Sequence, residues 1–169
     1  NYEVGFQGAD WVTLKKMTVR SNSSMCIDIR GGSHHNTITH CQVLGSSGMN
    51  YMLIGSQADM DSSNTISNNF IKNGSYGVYM YYFGTYEQGN VISDNIFDSI
   101  NYEAIFMYYQ NGLVVSNNTI SNVMSNYAYG VYAGYLTNTI EIEGNNINLP
   151  NGGYGIYIYN YNAGNPANI

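Results

Sequence analysis

The sequence repeats itself about every two dozen residues, and that repeat constrains the fold more than any other feature. An apolar residue recurs at Leu14, Ile38, Ile66, Ile92, Val115 and Ile142, at spacings of 24, 28, 26, 23 and 27 residues. Five residues beyond each stands another: Val19, Val43, Ile71, Phe97, Ile120 and Ile147. A second pair of columns follows in every unit. Its first line is Ile27, Met52, Val78, Ile105, Val131 and Ile156; its second is Ile29, Ile54, Met80, Met107, Ala133 and Ile158. Alternation with period two describes strands with one buried face, and no segment carries helical spacing. Hairpins would reverse the chain at each turn, whereas a chain that returns to the same column once per repeat is winding. Stacked at ~4.8 Å per coil, six coils make a rod roughly 30 Å long. The expected fold is all-β: a β-solenoid of about six coils of 23–28 residues, one domain spanning 1–169.

Three residues beyond each first marker stand Met17, Cys41, Asn69, Asn95, Asn118 and Asn145. Asn tolerates the left-handed geometry of a sharp bend, and its carboxamide both donates and accepts. Stacked copies can therefore bond to one another and to turn backbone, so Asn69, Asn95, Asn118 and Asn145 are expected to form a structural ladder. Met17 and Cys41 depart from the pattern, so the ladder is expected to lapse in the first two coils.

The motif I-x-x-N-x-[IFV], followed by G-[IV]-Y-[IM], resembles the right-handed parallel β-helix repeats of pectate-lyase-like enzymes. It is closer to the Asn-rich repeats of NosD-like and microbial surface proteins. The likeness runs from about Ala9 to Asn160. Right-handedness is implied by this resemblance and not by the spacing. Function is not, because such repeats serve lyases, hydrolases, epimerases, adhesins and structural rods.

Between the inward columns lie two outward ones. The first reads Asp28, Leu53, Tyr79, Phe106, Tyr132, Tyr157, and the second Arg30, Gly55, Tyr81, Tyr108, Gly134, Tyr159. From the third coil onward one face is paved with rings. Tyr79, Tyr81, Phe106, Tyr108, Tyr132, Tyr157 and Tyr159 are thus the candidate binding face. It would serve a stabilising ladder, a protein interface or a sugar-stacking platform. Neither end carries an evident cap, so more chain or a neighbouring copy is expected to cover the terminal coils.

Chemistry is sparse. The resemblance makes polysaccharide cleavage the enzyme class to test, by a lyase with a cation or base site or a hydrolase with paired carboxylates. No two of the 11 acids are expected at neighbouring positions of one face. Asp28 and Arg30 share an outward face and read as a surface pair. Asp59 and Asp61 offer a Ca²⁺ ion two carboxylates, but calcium takes about six to eight oxygens, so a solvated loop is expected. The NosD-like resemblance has an association with copper, and His34, His35, His40 and Cys41 cluster in sequence. Their spacing matches no metal motif and their faces differ, so no metal site is expected.

With a net charge of −6 and 5 basic residues, the chain lacks the footprint of a nucleic-acid binder. No apolar run reaches the ~18 residues of a membrane span. Cys26 and Cys41 either pair or stay as buried thiols. Asn22, Asn73 and Asn117 open sequons that permit glycosylation outside the cell. A start at Asn1 without Met suggests a processed chain or a piece of a longer or polymerising protein. The reading is a non-catalytic structural solenoid, extracellular or on a cell surface, that self-associates or meets neighbouring surface proteins. The alternative is a carbohydrate-binding or carbohydrate-active module acting on polysaccharide. Heat and protease sensitivity are expected in the loops 56–63 and 122–128.

Overall fold

The computed structural model describes residues 2–22, 25–46, 51–57 and 59–162. Asn1, Ser24 of the first sequon and Ala58 of the 56–63 loop lie outside them. The chain winds through three parallel sheets. Seven strands stack in chain order as the first: Tyr2–Gln7, Met25–Arg30, Met52–Ser56, Tyr76–Tyr81, Glu103–Asn111, Tyr129–Thr137 and Tyr154–Asn162. The short strand Glu87–Gln88 adds to this sheet beside Glu103–Asn111. The second and third sheets have six three-residue strands each, from Thr13–Lys15 to Glu141–Glu143 and from Thr18–Arg20 to Asn146–Asn148. Every pairing is between successive coils and parallel, giving about six turns of a β-solenoid.

The short strands present a single inward residue each. Ile38, Ile66, Ile92 and Val115 line the second sheet, and Val43, Ile71, Phe97 and Ile120 the third, at 0–2% exposure. In the first sheet Ile105, Met107, Val131 and Ala133 are fully buried. β-branched side chains suit this geometry because their restricted χ1 packs well on a pleated, one-sided surface. One coil departs from the expected register. Ile54, not Met52, pairs with Ile27 and Val78, so the strand Met52–Ser56 sits two residues away from its anticipated alignment. Ile54 stays inside under either register, while Met52 moves from the expected inward column to a place opposite Tyr76. Two consequences follow. Gly55 stands opposite Asp28 and Tyr79, and Leu53, expected outside, is 1% exposed. Gly45 and Gly74 make room for it, since a Cβ on either would lie within 2.7 Å of the Leu53 side chain.

The corner between the second and third sheets carries the asparagines. Asn69, Asn95 and Asn118 each donate from Nδ2 to the carboxamide oxygen of the next coil's asparagine, ending at Asn145, at 2.9–3.1 Å. Each Nδ2 also reaches a carbonyl of the preceding coil, from Ile38, Ile66 and Ile92. Left-handed backbone belongs not to these residues but to the one before each: Asn68, Asp94, Asn117 and Gly144. Nor does the pattern end abruptly at Cys41. Its backbone N–H donates to Asn69 Oδ1 at 2.9 Å, and its thiol lies near the carbonyls of Leu14 and Thr39. A second stack, unforeseen, occupies the preceding corner, where Asn36 N–H donates to Asn64 Oδ1 and Asn64 N–H to Asn90 Oδ1, both at 2.9 Å. Such bonds are worth about 1 kcal/mol each, and leaving the buried groups unpaired would cost more.

Candidate functional site

The outward face of the first sheet carries the molecule's largest aromatic assembly. Tyr79 and Phe106 lie opposite each other and stack with centroids 4.3 Å apart at 4°. Tyr132 continues the column at 5.3 Å and 17°, and Tyr157 at 5.1 Å with a 31° tilt. Parallel rings this close overlap face to face, so within the column their faces meet each other and their edges meet solvent. Tyr108 interlocks with both neighbours, 4.8 Å from Phe106 and 5.6 Å from Tyr132, and its hydroxyl bonds that of Tyr132 at 3.1 Å. It leans across Gly134, where a Cβ would come within 2.9 Å of the ring. The gap that glycine leaves in the outward column is therefore filled. Burial pushes the Tyr79 phenol up to about 12, and Tyr108 is raised further by burial and its Tyr132 bond.

The face is wider than the seven residues expected from the sequence. Tyr76, Tyr129 and Tyr154 form a third outward column, with Tyr129 and Tyr154 stacked at 5.1 Å and 13°. A Gly or Ala follows each member of this column, and that residue turns inward, which is what carries the column back out to solvent. At the far edge Tyr109 and Tyr135 stack at 4.6 Å and 9°, bordered by Tyr81, Phe83 and Tyr86. Both adopt left-handed backbone, φ 54° and 51°. Bulky residues rarely do so, and the chain elsewhere uses mainly Asn, Asp, Ser or Gly at such positions. The doublets Y-Y in "YMYY" and "FMYYQ" were the visible signal for this edge.

Glu103 occupies the third column between Tyr76 and Tyr129. Burial raises its carboxyl to about 7, and one oxygen, Oε2, is buried without a hydrogen-bond partner. In the sequence it is one acid among 11.

The remaining acids correct the expectation that none are neighbours. Asp61, placed by sequence in a solvated loop beside Asp59, is fully buried, as is Glu87. Ser56 Oγ donates to Asp61 Oδ2 at 2.6 Å and lies 3.5 Å from Glu87 Oε1, while Gln110 Nε2 donates to Glu87 Oε2 at 2.6 Å. The slipped register explains the cluster: it brings Ser56 into the inward column opposite Met80, and the buried hydroxyl draws the loop's carboxylate inside. Burial pushes Glu87 up to about 8 and raises Asp61. Asp59 instead accepts from the Gly31 N–H at the surface. Glu141 and Glu143 flank Ile142 on the outward side of their strand, and Glu143's charge raises Glu141. Asp28 is not a surface residue: it is 3% exposed and paired with Arg30, whose guanidinium lies over the Tyr2 ring.

The histidines are not brought together with Cys41. His34 Nδ1 accepts from the Ser62 N–H, His35 stacks on Trp11 at 4.2 Å, and His40 meets Thr39 Oγ1. Among the described residues no group of three or more His, Cys, Asp or Glu is placed to hold a metal. Cys26 and Cys41 are buried free thiols, with burial pushing Cys26 up to about 11. Of the sequon asparagines, Asn22 and Asn117 are exposed and Asn73 is half-buried.

A family model described as "Right handed beta helix region" matches residues 3–168, and the chain belongs to that family. Among solved structures, it is similar to an alginate lyase from Paenibacillus sp. str. FPU-7, with 15% identity and a TM-score of 0.31. The alignment covers 94% of this chain and 78% of that one. A search of curated proteins found no match.

Proposed function

We propose that this chain is a non-catalytic segment of a β-helical rod that works outside the cell or on its surface. The terminal coil and the tyrosine face are its contact surfaces. One observation carries the reading. The inward column that is fully buried at Ile105 and Val131 is 40% exposed at Ile156 in the last described coil, with Tyr154 beside it 54% exposed. A further β-helical coil is the shape that covers such a surface, because it supplies the parallel edge, the inward aliphatic and the next ring of the stack. The acids argue in the same direction. Asp61 and Glu87 are sealed from any substrate, and Glu141 and Glu143 lie on an open strand rather than in a cleft.

Sedimentation velocity tests this reading. Wild-type chain should grow in size with concentration, and Ile156→Lys, which places a charge on the exposed coil, should stay small with an unchanged β spectrum. Equal behaviour of the two would remove the terminal coil from the account.

A carbohydrate-binding role has its own observation in favour, since Phe83 is 72% exposed at the aromatic edge and stacking on a sugar needs a free ring face. Tyrosine emission in the presence of a polysaccharide panel tests it: a saturable change abolished in Phe83→Ser would support it, and no change with any member would refute it.

A further inference from the structure

We infer that Glu103 and the tyrosines around it form a binding site for an organic ammonium ion. The third outward column has rings at Tyr76, Tyr129 and Tyr154, and between Tyr76 and Tyr129 it has a carboxyl. Where rings are consecutive, as at Tyr129 and Tyr154, they stack 5.1 Å apart. Across Glu103 a rung is missing. At a rise of ~4.8 Å per coil, the rings on either side each lie roughly that distance from the level of the carboxyl, inside the ~6 Å reach of a cation–π contact. Tyr102, 39% exposed and 6.2 Å from Tyr76, stands beside the gap.

The carboxyl itself lacks a partner. Oε2 is buried without a hydrogen bond. The protein's own cations are committed or remote: Arg30 pairs with Asp28 and Lys72 with Asp98, and Lys15, Lys16 and Arg20 belong to the first coil's other two sheets and the bend between them. A metal ion is poorly served by one carboxylate among rings, since calcium takes about six to eight oxygens. An ammonium group is served well. One carboxylate neutralises it while aromatic rings contact its methyl or methylene groups. An anionic ligand would meet only repulsion.

The test compares choline with 3,3-dimethyl-1-butanol, its neutral isostere, by following tyrosine ring signals in NMR titrations of the dilute chain. Choline should give saturable shifts. Binding on the order of tenfold weaker is expected for the neutral isostere and for choline with Glu103→Gln. Choline should also bind more tightly at pH 8 than at pH 6. The groups facing Glu103 are Tyr76 and Tyr79 on one strand, Tyr129 on the other and Tyr102 beside it. Burial raises Tyr76, Tyr79 and Tyr129, and the histidines lie in the first two coils. No saturable shift, equal binding of choline and its isostere, or undiminished binding by the variant would overturn the proposal. The choline–isostere comparison uses unaltered protein, so it decides the matter even if the variant folds poorly. Because the titration needs no assembled rod, failure of the assembly reading would leave this site standing.

Discussion

Two faces of the same solenoid rest on equivalent interiors and carry unlike exteriors. In the first sheet, fully buried Val78, Ile105 and Val131 lie beneath columns of tyrosine and phenylalanine. In the second, equally buried Ile66, Ile92 and Val115 lie beneath Thr65, Ser67, Val91, Ser93, Val114 and Ser116. Both stack in register through every coil. Small hydroxyl and valine side chains therefore suffice to cover a sheet in this architecture, and the rings of the other face answer a different need. The strained Tyr109 and Tyr135 backbones point the same way, since Asn or Gly would satisfy the bend at less cost.

Changes beneath the two faces should weaken the rod alike, and these are the largest effects expected. Ile105→Ala and Ile92→Ala each empty a fully buried site and should cost about 2–5 kcal/mol in chemical denaturation. A difference between them larger than that spread would mean that the interiors are not equivalent.

The next effect separates the coils that contain buried acids from those that do not. Glu87, held up at about 8 by burial, stays protonated in the fold where the unfolded chain would ionise near its ordinary value of 4.5. The fold keeps its full advantage below that lower value and loses it as pH climbs to the higher one. Stability should therefore fall by on the order of 3 kcal/mol between pH 5 and pH 9, with Asp61 adding in the same direction. Glu87→Gln should flatten the profile, and thermal unfolding across that range measures both.

The exteriors should then part company. Tyr132→Ser removes two stacked ring neighbours and a hydroxyl contact, and should cost about 1–2 kcal/mol while weakening self-association. Ser93→Ala, on the plain face, should change stability by no more than about 0.5 kcal/mol and leave association untouched. If both variants lowered association equally, the aromatic face would have no special part in it.

Inward columns were legible in the sequence because burial on one side of a strand imposes period two, and because the coil length varies only in loops. The ladder asparagines were legible for a related reason: a polar group buried at a corner needs an identical neighbour above and below. The features that the sequence does not display have physical causes too. In the Met52–Ser56 strand the apolar run Met52, Leu53 and Ile54 fits either register, so its pattern does not reveal the slip that turns Leu53 inward. Asp61 and Glu87 sit in insertions whose path is set by contacts across coils 26 residues apart, not by local chemistry. Tyr76, Tyr129 and Glu103 precede an inward Gly or Ala that breaks the alternation, which hid the third column and the missing rung within it.

The most direct test of the rod account is negative-stain electron microscopy of the purified chain over a concentration series. The account predicts thin particles of constant width whose length increases with concentration. Discrete particles of one short length at every concentration would contradict it.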